Sequence, residues 1–175
     1  VRARRSNYLY QHYLPRINTL SKLSAYVKVA EGCQHNCAFC IIPAIRGPLR
    51  SRTVDSVVEE VKTLVSQGVI EVNLIAQDLA AFGRDRQQDE LLPLLKALVK
   101  IDGLKWVRLL YIYPEHINDE FLEFFAAEDK IVTAGNRAVH VLDPEGDLAQ
   151  LLRQARHDEA QARLAVEHPY EERQQ

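Results

Sequence analysis

The chain has no methionine, not even at position 1, a single tryptophan, and only three cysteines in 175 residues. The missing initiator leads us to expect that the sequence begins inside a longer reading frame. A fourth cysteine is lacking, so a plain ferredoxin-type cluster is excluded, and a zinc site would need His35 as its fourth ligand from a cramped position. An odd, closely spaced set of cysteines also argues against a disulfide framework and for a reducing, cytoplasmic setting. No apolar run approaches the roughly 18–20 residues of a helical membrane span. The basic start, Val1–Arg5, is not followed by the apolar stretch of a signal peptide. Membrane partners are therefore not expected. Neither sign of charge dominates: 22 Lys and Arg stand against 24 Asp and Glu, a formal net charge of −2. That removes any global electrostatic argument for nucleic acid and leaves only a local patch as a route to a polyanion.

What is present is a globular composition, 47% hydrophobic and 26% charged, long enough for one core. Residues 1–23 are basic and polar and read as a linker. Ser24–Glu31 alternates and reads as a strand. Val54, Val57, Val58, Val61, Leu64 and Val65 repeat at helical spacing, with Thr53 or Asp55 as cap and Gly68 as stop. Val69–Ala76 is a short buried strand. Asp89–Lys100 is a second helix, with Pro93 tolerated in its first turn. Trp106–Tyr113 is a third strand, which would place Tyr111 and Tyr113 on one face. Asn118 or Asp119 then caps a third helix through Phe125. This order implies parallel strands with right-handed crossovers, whose C-terminal loops share one ligand-binding face. About three βα units are expected over residues 24–132. Residues 133–175 read as a divergent tail, helical near 147–167 or disordered, with no further βα unit, and the strand pattern stops near Ile131.

The three cysteines sit together as Cys33-Gln-His-Asn-Cys37-Ala-Phe-Cys40, directly after the first strand. Three thiolates on one loop can hold three irons of a [4Fe-4S] cubane and leave the fourth open to a ligand. The amino and carboxylate groups of a methionyl moiety could chelate that iron. The C-x3-C-x2-C spacing, with Phe39 before the last Cys, resembles the radical S-adenosylmethionine superfamily. That resemblance implies a partial (β/α) barrel in which a reduced cluster cleaves S-adenosylmethionine to a 5′-deoxyadenosyl radical. It places Gln77 and Asp78 where that superfamily contacts the methionyl amino group. Arg46, with Arg50 and Arg52 as a basic patch, would grip a carboxylate of S-adenosylmethionine or of an acidic substrate. A turn role for Asp78 and a solvated face for the arginines are the plain alternatives. The scattered histidines show no metal spacing.

Ala25–Cys33, Cys40–Gly47, Ser51-Arg52, Val72–Asp78 and Trp106–Pro114 further resemble the methylthiotransferase family over roughly residues 24–132. Within it, Ala76-Gln77-Asp78 followed by Ala81-Phe82-Gly83 is most like the branch that modifies an aspartate of a small-subunit ribosomal protein. The alternative branch modifies a tRNA adenosine. A non-catalytic cluster- or zinc-binding module is the alternative of another class. The resemblance also implies an N-terminal domain with three more cysteines and a C-terminal β-barrel, neither visible here. A truncated or frame-shifted copy is therefore expected, able to bind a cluster but not to complete methylthiolation alone.

Overall fold

Strands that alternate with capped amphipathic helices can bury their apolar faces only by stacking side by side, and a four-stranded parallel sheet results. A computed structural model describes residues 8–17, 22–35, 37–113 and 116–133 of the chain. Strand β1, Ser24–Lys28, buries Ala25 and Val27. The strand expected to run through Glu31 breaks after Lys28. Ala30–Glu31 (β2) leaves the main sheet and pairs antiparallel with Arg50–Ser51 (β3), while Ile42–Arg46 forms the short helix α1 between them. The cysteine loop is thus the head of a two-stranded stem.

Helix α2, Val54–Ser66, starts where Thr53 Oγ1 accepts from the Ser56 N–H at 3.2 Å, a cap worth about 1 kcal/mol. It is followed by β4 (Glu71–Ile75), α3 (Leu91–Leu98), β5 (Trp106–Leu109), α4 (Asp119–Ala127) and β6 (Ile131–Thr133). Asn118 Oδ1 caps α4 by accepting from the Phe121 N–H at 2.8 Å. The strands lie in the order β1-β4-β5-β6, all parallel. Three βα units are present as read, but the expectation that the strand pattern stops near Ile131 is corrected. Ile131–Thr133 pairs in register with Val107–Leu109. A three-residue strand has no periodicity of its own and forms because β5 offers it an edge. The tail beyond Thr133, including the helix expected near 147–167, lies outside the described residues.

The third strand is also shorter than its apolar run. It ends at Leu109, and Tyr111 sits at φ +60°, a left-handed conformation that costs a non-glycine residue about 1–2 kcal/mol. The Tyr111 carbonyl accepts from the Leu79 N–H at 2.9 Å, which ties the exit of β5 to the exit of β4. Tyr111 and Tyr113 therefore do not share a strand face. The sheet's Val27, Leu74 and Val107 are packed away from water with Val57 and Val61 of α2, Leu94, Leu95 and Leu98 of α3, and Phe121 and Leu122 of α4. Of the stretch read as a linker, residues 8–17 lie against α2: the Tyr10 ring covers the Arg52 guanidinium at 5.4 Å, and Arg16 pairs with Glu60.

Gly32 closes the neck of the cysteine loop at φ +77°, where an added Cβ would stand 2.1 Å from the Pro48 carbonyl oxygen. No side chain fits there without parting the two sides of the stem. Gly32→Ala is expected to destabilise the fold by more than about 1 kcal/mol, because both the contact and the φ are incompatible. It should also speed thiol labelling of Cys33 and Cys40. An unchanged denaturation midpoint with unchanged labelling would contradict this account of the neck.

Candidate metal centre

Because β1, β4 and β5 are neighbours and parallel, the loops leaving their C-terminal ends lie side by side. The first carries Cys33, Cys37 and Cys40, the second Gln77 and Asp78, and the third Tyr113 and His116. Above the stem, the Cys33 N–H donates to the Gly47 carbonyl at 3.2 Å, and the Cys40 N–H donates to the Cys37 carbonyl at 3.0 Å. The His35 N–H points to Cys33 Sγ at 3.5 Å. All three thiols are free of disulfides; Cys37 is exposed, while Cys33 and Cys40 are half-buried. Phe39 is 93% exposed, so the aromatic before the last cysteine faces outward and adds nothing to the core.

Asp78 is the hub of this face. It is buried, and Oδ1 accepts from the Ala80 N–H at 3.0 Å, forming a local turn, and from the Tyr113 N–H at 3.2 Å. Oδ2 accepts from His35 Nε2 at 2.8 Å. One carboxylate thereby joins all three loops, and the turn role weighed for Asp78 is the one its bonds express. Gln77 beside it is exposed. The His35 ring packs against Tyr113 at 4.7 Å and stacks with His116 at 5.7 Å. His35 entered the sequence reading only as a cramped zinc ligand and His116 not at all; their meeting with Asp78 is not local, since 43 residues separate His35 from Asp78. The available signal was topological: residues just past two neighbouring parallel strands must meet.

The arginines do not form the expected patch. Arg46 is exposed and pairs with Glu31 at 2.9 Å, and Arg50 donates to the Arg46 carbonyl at 3.2 Å. Arg52 is buried, and its guanidinium bonds Glu60, the Ser56 carbonyl at 2.9 Å and the Lys28 carbonyl at 3.0 Å. It is a structural cation because α2 turns Ser56 and Glu60 inward beside Val57 and Val61. Tyr8, Tyr10, Lys28, Glu31, Arg46 and Arg50 border a cavity of about 380 Å³ on the stem side. Another, of about 280 Å³, opens at the N-terminal ends of the strands near Leu23, Ile70 and Trp106, away from the cysteines.

Burial pushes the Glu31 carboxyl up, but Lys28 and then Arg46 outweigh it and hold it below its ordinary value of 4.5. A depressed carboxylate contributes stability above its unfolded pKa and loses it as pH falls through the lower folded value. Glu31→Gln should therefore lower the melting temperature at neutral pH. The gap from the native chain should close as pH falls below 4.5 and through the lower folded value. A gap that does not depend on pH would contradict the ion-pair account.

The cysteine side chains fit an iron–sulfur cluster on one structural point beyond their number. The loop already presents a main-chain N–H to a cysteine sulfur, the kind of bond that cluster thiolates accept. The family model described as the radical SAM superfamily matches residues 27–171. The chain belongs to the radical SAM superfamily. Membership brings a [4Fe-4S] cluster and S-adenosylmethionine as its cofactors. The chain is 56% identical over 125 residues to the ribosomal protein uS12 methylthiotransferase RimO of Syntrophotalea carbinolica, covering 71% of this chain and 28% of that protein. It is 50% identical over 126 residues to the protein of that name from Myxococcus xanthus, covering 71% and 26%. This radical SAM chain thus spans less than a third of the length of these two relatives. Among solved structures, the radical S-adenosylmethionine methyltransferase TsrM of Kitasatospora setae aligns with a TM-score of 0.47 at 23% identity, covering 59% of this chain and 19% of that one. Among the described residues, no helix is long and apolar enough to cross a membrane.

Proposed function

We propose that this chain is the cluster-binding part of a radical SAM methylthiotransferase that modifies an aspartate of ribosomal protein uS12. The observation that carries the reading is the loop of three free cysteines at the C-terminal end of a parallel sheet, in a chain 56% identical to a uS12 enzyme. Cys33, Cys37 and Cys40 would hold the [4Fe-4S] cluster. When bound, the reduced cluster supplies the electron that splits S-adenosylmethionine into methionine and a 5′-deoxyadenosyl radical able to abstract hydrogen. Gln77, exposed beside the loop, would meet the methionyl amino group through its amide oxygen. Asp78 contributes to that contact by fixing the turn that carries Gln77. Arg46, at the base of the same loop, offers a guanidinium for a carboxylate, in exchange with Glu31. Residues 24–132 make up this catalytic part, with 1–23 leading into it and 133–175 as a tail. Reduced cysteines suit a cytoplasmic setting.

The test is anaerobic reconstitution of the chain, reduction, and chromatography of the products. 5′-Deoxyadenosine and methionine in equal amounts are the expected result. A cluster-loaded chain that leaves S-adenosylmethionine intact would overturn the radical reading. The substrate assignment is tested with the whole protein. Gain of one methylthio group on uS12 supports it, and modification of a tRNA adenosine in its place moves the reading to the alternative branch.

A further inference from the structure

We propose that His35 and Asp78 act as a positioning pair that shapes the cysteine loop before metal arrives and holds a main-chain N–H on the Cys33 sulfur. The proposal rests on the reading of the cysteines as cluster ligands and deepens it. Asp78 is only 3% exposed. Its place does not depend on His35, because Oδ1 is fixed by the N–H groups of Ala80 and Tyr113. Oδ2 is thus an anchor at the end of β4, and His35 Nε2–H donates to it at 2.8 Å. The ring is clamped from the third loop as well, by Tyr113 at 4.7 Å and His116 at 5.7 Å. A side chain held on three sides fixes its own backbone, and that backbone N–H lies 3.5 Å from Cys33 Sγ.

Each link has a chemical consequence. Hydrogen bonds to ligating sulfurs are among the factors that set a cluster's reduction potential. Groups outside the ligand set orient the ligands and typically change metal affinity 10–100-fold when removed. His35 would therefore act through Cys33, with its ring bonded to Asp78. Ligand atoms of His35, Asp78 and His116 also lie within 4.8 Å of one another, as a small metal site would need. The 2.8 Å contact and the near-parallel stacking of the two imidazoles, 16° apart, favour a hydrogen-bonded pair instead.

The test uses the full chain reconstituted anaerobically, as the native form and as His35→Ala, His35→Gln, Asp78→Asn and the Ala/Asn double variant. Iron loss to a ferrous chelator, the midpoint potential of the cluster and the melt of the metal-free chain are measured. His35→Ala should lose iron about 10–100-fold faster and shift the potential. His35→Gln, whose amide N–H can still reach the carboxylate, should recover most of the retention. The double variant should be no worse than the worse single, because both changes break one link. Native-like retention and potential in His35→Ala would overturn the inference while leaving the cluster reading intact, as would fully independent effects of the two changes. A native chain that takes up no cluster would overturn both. Stoichiometric zinc in a variant lacking all three cysteines would make the trio a metal site and overturn the pairing. Should Asp78→Asn fail to fold, the two His35 variants decide the matter alone.

Discussion

Arg52→Ala should be the most damaging single substitution in the described fold, with a loss of about 3–5 kcal/mol. Four acceptors meet this one guanidinium. Glu60 is buried beside it, the Ser56 hydroxyl and carbonyl lie on α2, and the Lys28 carbonyl ends β1, the edge strand of the described sheet. Removing the cation leaves a nearly dry carboxylate with only Arg16 opposite it. The cost of an uncompensated buried charge exceeds that of the lost contact itself. Because Arg52 directly follows β3, the stem that carries the cysteine loop should loosen too. Chemical denaturation with a far-UV readout checks the size. A loss under about 1 kcal/mol would mean that the pair is as weak as a surface one.

Cys33→Ala should abolish cluster uptake while leaving the metal-free chain folded. Iron should fall from about four per chain to below about one, since a cubane with two protein ligands is not retained. The cysteines are half-buried or exposed and outside the apolar core, so the melt of the metal-free variant should move by about 0.5 kcal/mol or less. The same separation should hold at Cys37 and Cys40. It distinguishes a ligand from a packing residue, which would lose fold and metal together. Full iron uptake by Cys33→Ala would remove that residue from the ligand set.

The parts of this fold that could be read in the sequence are those that rest on local chemistry. Thr53 and the valines of α2 fix a helix by capping and period, and Asn118 does the same for α4. The cysteine spacing singled out the loop proposed to hold the cluster without any tertiary information. What escaped depends on partners distant in sequence. The strand through Glu31 divides because β3 recruits β2, and Thr133 joins the sheet because β5 has a free edge. Tyr111 leaves the third strand early because its carbonyl is drawn to Leu79. Arg52 looked like a surface cation, although Ser56 and Glu60 on the inner stripe of α2 were a signal of a buried partner. Asp78 could be marked from its position after the second strand, but its bonds to His35 and Tyr113 could not, since each spans a different loop.

Metal analysis of the chain purified and reconstituted without oxygen tests the central claim most directly, with spectra recorded before and after S-adenosylmethionine is added. Three thiolates and one open iron predict about four iron per chain and a spectrum that changes on addition. One zinc with no iron, or a cluster whose spectrum is indifferent to S-adenosylmethionine, would contradict the account.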